Sequence, residues 1–229
     1  MLARFILRLV FASMSTLLMQ PQLSLAAAKI QTRPGPQKIV LKPFSAEDAF
    51  GVHSANLRTL MLELYECQPQ ALQKSTKVSK EEFVQWVFEG PFGWKFDSIK
   101  NVQSIEALTL GFRQEYQGDR ILPLITGLYT MILLAYGGKN EFTFTEIIKP
   151  NNIIIAAHNV EISATKLHNI QNESGELYLN ERCIANTQQK LDVIKNKFFE
   201  DYKAITKQEF DSSLSPIQTH SNVIELIQF

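Results

Sequence analysis

The chain has 229 residues, 45% hydrophobic and 20% charged. That is an ordinary globular composition, enough for one sizeable core or two small ones. Its 23 lysines and arginines balance 23 aspartates and glutamates, so no global field draws in nucleic acid or anionic lipid, and no clustered basic face with interleaved aromatic residues offers a grip on single strands.

The N-terminal run MLARFILRLVFASMSTLLMQPQLSLAAAK places Arg4 and Arg8 before an apolar stretch from Leu9 to Met19, with small residues at Ala26 and Ala28. This three-part layout predicts a secretory signal peptide over residues 1–28, cleaved near Ala27 or Lys29. The apolar stretch is about 11 residues, against about 20 for a bilayer span. An uncleaved anchor is the alternative, and the absence of a cysteine at the cleavage site disfavours a lipoprotein anchor. The expected address is therefore exported, periplasmic or envelope-associated.

Export changes the meaning of Cys67 and Cys183, which are too few and too far apart for a zinc module. In an oxidising compartment they could close a loop of more than 100 residues, worth about 4–5 kcal/mol in the chain-entropy model. The plainer reading is two unpaired small hydrophobes. Spacing does not choose between them.

Residues 29–44 hold three prolines and a glycine without helical period and read as an extended linker or arm. From 45 to 229 a single helical domain is expected. The pattern SAED at Ser45 starts a first helix, with Phe50, Leu57, Leu60, Met61 and Leu64 at helical spacing and a stop before Pro69. SKEE at Ser79 is a capping box opening a second, with Phe83, Val84, Val87 and Phe88 inward until Gly90-Pro91. The turn GPFGWKFD carries Phe92, Trp94 and Phe96, read as rings that plug the core edge, with a ligand-stacking platform as the alternative. A third helix is expected from Asp97 or Ser98 to about Tyr116.

Next comes GDRILPLITGLYTMILLAYGGKNE, uncharged between Arg120 and Lys139. A phosphate loop requires G-x-x-x-x-G-K-[ST] between a strand and a helix. Here Asn140 replaces the hydroxyl, and Gly137-Gly138 follow a helix instead of opening one, so nucleotide binding is rejected. The run 121–138 is just long enough to raise a membrane span. Pro123, Thr126, Gly127, Tyr129 and Thr130 dilute it, and its neighbours have one-sided apolar stripes that need a shared partner. A central core helix over about 119–136, started by Asp119, is the leading expectation; a membrane-inserted segment at 121–138 is the alternative.

Phe142 and Phe144 then alternate with polar residues in a short extended piece, and a helix is expected from about 151 to 170. NESGELYL reads as a turn and short hairpin. A last helix spans about 181–207 with Ile184, Leu191, Ile194, Phe198 and Tyr202 on one face, and the tail from Ser212 is ambiguous. The fold class is all-α: a compact bundle of five or six helices with one short extended segment or hairpin.

The strongest polar constellation is His158, Glu161 and His168 on one helix, residue types suited to zinc. At about 100° per residue, Glu161 and His168 fall about 60–80° from the apolar centre and His158 about 140° away, so a shared metal site is not expected. Glu161 reads instead as a border carboxylate paired with a cation. Asp97, Glu106, Glu115, Asp119 and Glu161 could converge, but their spacing gives no sign of it. There is no G-x-S-x-G elbow, and His53, His158, His168 and His220 sit in plain contexts. No cofactor and no metal are expected. A polar site, if there is one, is placed at Arg120, Glu161 and His168, near the Trp94 turn.

The runs EGPFGWKFDSIKNVQSIEAL (89–108), GDRILPLITGLYTMILLAYGGKNEF (118–142) and AAHNVEISATKLHN (156–169) together resemble a family of exported proteobacterial proteins of unknown function. The resemblance spans about residues 45–180. It implies a bacterial envelope location and no activity or catalytic residues. The expected function is a non-enzymatic binding or interaction domain with a protein or membrane partner in the envelope. A small-ligand binder or enzyme with an inter-helix pocket is the alternative. Oligomeric state is not legible.

Overall fold

The computed structural model describes residues 43–140, 142–144, 147–172 and 174–212. The expected signal peptide 1–28, most of the arm 29–44 and the tail beyond Ser212 lie outside the described residues.

Helix α1 (Ala46–Cys67) starts where its sequence signal lies, with Ser45 Oγ accepting the Asp48 amide at 3.1 Å. Its stripe of Phe50, Leu57, Leu60, Met61 and Leu64 is buried. Pro69 stops α1 and also serves as the first residue of α2 (Pro69–Ser75), a helix the periodicity does not indicate. Ser79 Oγ accepts the Glu82 amide at 3.2 Å to open α3 (Lys80–Glu89).

The third expected helix is corrected. Asp97–Ile99 forms a single 3-10 turn, and α4 runs only from Ser104 to Phe112. Lys100 and Asn101 adopt left-handed backbone (φ 58° each), which an α-helix cannot contain. The Asn101 side chain steadies the break by donating from Nδ2 to Asp97 Oδ1 at 3.0 Å. The restart depends on a distant residue, because Thr130 Oγ1 accepts the Ser104 amide at 2.7 Å.

Helix α5 (Ile121–Ala135) is buried along its whole length except for Leu134. Asp119 Oδ1 accepts the Ile121 amide at 2.8 Å at its start, and Gly137 leaves it with φ 74°. Fifteen residues rise about 22 Å, short of the roughly 30 Å hydrocarbon core. No helix among the described residues is long and apolar enough to cross a membrane. Instead α1, α4 and α6 (Pro150–Asn169) pack against α5, while α7 (Glu181–Ser212) lies along α6 and α1. Gly127 lets α4 approach closely: a Cβ there would lie 2.8 Å from the Ser104 carbonyl and 2.6 Å from Leu108.

This is the expected all-α bundle around a central apolar helix, with seven α-helices among the described residues. The extended element is a small antiparallel hairpin, β1 (Gly138–Asn140) with β2 (Thr143–Phe144). Phe144 packs on Phe50, while Phe142 is 84% exposed. In the aromatic turn, Trp94 is buried and stacks on Tyr129 with centroids 3.6 Å apart. Phe96 is half-buried, whereas Phe92 faces out.

Candidate functional site

Cys67, the last residue of α1, is disulfide-bonded to Cys183 in the first turn of α7, with Cα atoms 6.1 Å apart. Asn180 Oδ1 accepts the Cys183 amide at 2.9 Å and so caps α7 beside the bond. Between α6 and α7 the chain turns back on itself, with Gln171 bridged to Leu177 and the Tyr178 amide donating to the Ile170 carbonyl at 2.8 Å. These constraints set residues 174–181 opposite α2 and the segment that leads into α5.

An open groove of about 820 Å³ lies between these three pieces. Gln70 and Lys74 line it from α2, Tyr116 and Arg120 from the approach to α5, and Glu176 and Tyr178 from the turn. Its walls are tied together by polar bonds. Gln68 donates its side-chain amide to the Tyr178 carbonyl, and Lys74 Nζ donates to the Gln117 carbonyl at 2.9 Å. The Arg120 guanidinium donates from Nη1 to the Gly111 and Arg113 carbonyls, both at 2.7 Å, and from Nη2 to the Gln114 carbonyl at 3.1 Å. A cation at those carbonyls closes the C-terminal end of α4 and offsets its dipole. This explains why α4 ends before Tyr116.

Two buried polar residues lead into α5, and the second of them, Arg120, lines the groove. Asp119 is 4% exposed and accepts the Tyr65 and Ser75 hydroxyls at Oδ2, each at 2.6 Å. Burial raises its carboxyl above the ordinary range, while those hydroxyls and the Ile121 and Leu122 amides pull it back. Arg120 is 9% exposed, and burial lowers it from the usual guanidinium value. Its Cζ lies 5.9 Å from the Tyr116 ring centroid. The Tyr178 hydroxyl is buried without a hydrogen-bond partner among the described residues. Burial and the Asp119 charge raise its pKa, and Arg120 opposes them.

Comparison with known proteins contributes nothing to this site. No family model, curated protein or solved structure matches the chain.

Of the residues singled out by sequence, Arg120 lines the groove; Glu161 and His168 do not. Glu161 lies on α6, with Lys195 of α7 at 3.3 Å and His158 at 3.7 Å, the border carboxylate with a cation that angular reasoning suggests. His168 is half-buried, with Nε2 lacking a partner among the described residues; burial lowers its pKa, and Asp192 works against that. Among the described residues no group of three or more His, Cys, Asp or Glu side chains is placed to hold a metal ion.

Sequence reasoning missed a second polar cluster, sealed inside the bundle. His53, whose sequence context is plain, is fully buried with Nε2 2.9 Å from the Tyr136 hydroxyl. That hydroxyl donates to Asp201 Oδ2 at 2.6 Å, and Lys197 pairs with Oδ1. Because Tyr136 gives its one proton to Asp201, the His53 Nε2 must carry hydrogen and donate to Tyr136. Nδ1 then bears a buried lone pair without a partner among the described residues. Burial lowers the His53 pKa and outweighs the nearby Asp201 carboxylate. Burial pushes the Asp201 carboxyl upward, but bonds from His53, Lys197 and Tyr136 win and hold it low. The tyrosine hydroxyl is pushed up by burial and by Asp201. No short-range spacing links residues 53, 136 and 201, so no sequence signal marks them.

Proposed function

We propose that the chain is an exported cell-envelope protein whose helical domain is a binding module, with the Arg120 groove as its binding site. The groove carries this reading: it is concave, of ligand size, lined by convergent polar groups and braced on every wall. Bracing matters because walls already ordered in the free protein lose little entropy when a ligand arrives.

The Cys67–Cys183 bond supports the address, since such bonds persist in oxidising compartments and are rare in the cytosol. The family resemblance and the charged, apolar and small-residue order of residues 1–28 point the same way. A groove of this shape favours a small ligand, or the end of a chain, over a flat docking partner. The cluster of His53, Tyr136 and Asp201 is buried, and its part is to join α1, the end of α5 and α7.

Native mass spectrometry of the protein purified from its own envelope tests the reading. The expected result is a small bound mass on the wild type that is lost in Gln70→Trp, where an indole at an exposed groove position blocks the mouth. A wild-type protein that carries nothing, or a bound mass that survives in Gln70→Trp, overturns the groove as the binding site.

A further inference from the structure

Arg120 is nine-tenths buried, yet no carboxylate pairs with it among the described residues. A guanidinium has five N–H donors. Three are spent on the carbonyls of Gly111, Arg113 and Gln114. The remaining two, on Nε and Nη2, have no acceptor among the described residues. These nitrogens share one edge of the guanidinium, and their spacing matches the two oxygens of a carboxylate. Near them the Tyr178 hydroxyl also lacks a partner, although it is buried and feels both Asp119 and Arg120. A cation with two donors open to the groove and a buried hydroxyl without a partner among the described residues, both lining that groove, suit an anion with several acceptor lone pairs.

The remaining charge of the groove narrows the class. Lys74 and Arg120 are its cations, and Glu176 and Glu181 stand as two anions along the turn and the start of α7. A phosphate dianion entering here would meet two carboxylates with one cation already engaged at the Gln117 carbonyl. A zwitterion suits both signs. Its carboxylate can take the Arg120 edge and the Tyr178 hydroxyl, while its ammonium faces Glu176 and Glu181. The side-chain amides of Gln68, Gln70, Gln114 and Gln117 around the lining suit the polar backbone of such a molecule.

Resting on the groove being the binding site, we infer that its ligand is a zwitterion of the amino-acid class, a free amino acid or a short peptide, held by its carboxylate on Arg120 and Tyr178. The role of Arg120 at the end of α4 does not conflict with this. The same side chain fixes the wall with three donors and offers two to the ligand.

The test uses the full protein and defined probes: a mixture of free amino acids, a mixture of dipeptides with free C-termini, the same dipeptides C-terminally amidated, and inorganic phosphate. Native mass spectrometry identifies what binds, and calorimetry measures the affinity of each hit. The inference expects binding from one or both free-carboxylate mixtures, which separates the two sources, and none from the amides. Arg120→Lys should weaken that binding about 100-fold and Tyr178→Phe about 10-fold. If Arg120→Lys perturbs α4, Tyr178→Phe still decides, because a hydroxyl without a partner leaves the fold at least as stable when removed. Phosphate binding, equal binding of amidated and free dipeptides, an unchanged affinity in Tyr178→Phe, or silence of both free-carboxylate mixtures each overturn the ligand class. Those results leave the groove itself to be judged separately by the mass lost in Gln70→Trp.

Discussion

The Tyr136 hydroxyl donates to Asp201 Oδ2 at 2.6 Å across 65 residues of sequence, joining the end of α5 to α7 at a point fully closed to solvent. The Tyr136 hydroxyl oxygen in turn accepts from His53 Nε2 of α1 at 2.9 Å. Tyr136→Phe removes one hydroxyl and leaves two buried groups short of a partner. Leaving buried polar groups unsatisfied costs about 1–3 kcal/mol each, so chemical denaturation should show an unfolding free energy lower by about 2–6 kcal/mol, read as a lower midpoint with an unchanged slope. A loss below about 0.5 kcal/mol would mean that the cluster does not hold the three helices together.

His53 also gives the bundle an acid sensitivity. Its pKa is lowered by burial in the folded chain, while the unfolded side chain titrates near 6.5. The unfolded state therefore binds the extra proton first. Stability is fully present above pH 6.5 and falls as pH drops from there towards the folded pKa, by at most about 1.4 kcal/mol per pH unit for one proton. Asp201, held low by its bonds, contributes a further loss only below its unfolded value of 3.8. His168 is also lowered by burial and shares the upper window. Unfolding free energies between pH 7 and pH 5 should therefore fall, and fall less steeply in His53→Gln. Equal slopes in the two proteins would remove His53 from the account.

The Cys67–Cys183 bond closes 116 residues of sequence. In the chain-entropy model that constraint is worth about 5 kcal/mol. Reduction, or the double substitution Cys67→Ser with Cys183→Ser, should lower the unfolding free energy by several kcal/mol. It should also loosen the groove, because its lining residues Gln68 and Glu181 lie one residue after Cys67 and two before Cys183. Hydrogen exchange of residues 172–181 with and without reductant measures the second effect, and unchanged protection there would separate the bond from the groove.

Gly127 carries a packing prediction that needs no ligand. A methyl group at this position would meet the Ser104 carbonyl at 2.8 Å and Leu108 at 2.6 Å, closer than real Cβ contacts. Alanine ordinarily stabilises a helix relative to glycine. Here Gly127→Ala should instead destabilise by about 1–3 kcal/mol, as overpacking does. A rise in thermal midpoint would show that α4 can move aside at little cost.

Much of the fold is local and therefore legible. Ser45 and Ser79 start α1 and α3 because a hydroxyl reaches an amide three residues ahead, and both bonds are present. Gly137-Gly138 stop α5 for an equally local reason, the left-handed backbone at Gly137. The apolar stripe Ile153, Ala157, Val160, Ala164 and Leu167 is buried on α6, because a helix of 3.6 residues per turn aligns those positions whatever it meets. The bundle around an all-apolar α5 follows from the same reasoning: one-sided stripes need a shared partner.

Tertiary structure decided the rest, because the deciding partner in each case lies far along the chain. The third helix breaks at Lys100 and restarts at Ser104 because Thr130, 26 residues on, accepts the Ser104 amide. It ends early because Arg120 gathers carbonyls that a longer helix would have used. Arg120 could be suspected from sequence, but its companions could not. Tyr178 and Glu176 reach it through a turn placed by the disulfide, whereas Glu161 and His168 do not line the groove. Sequence periodicity sets which face of a helix is apolar. Which polar groups end up sharing one groove depends on how those faces pack, and that is fixed only when the whole chain has closed on itself.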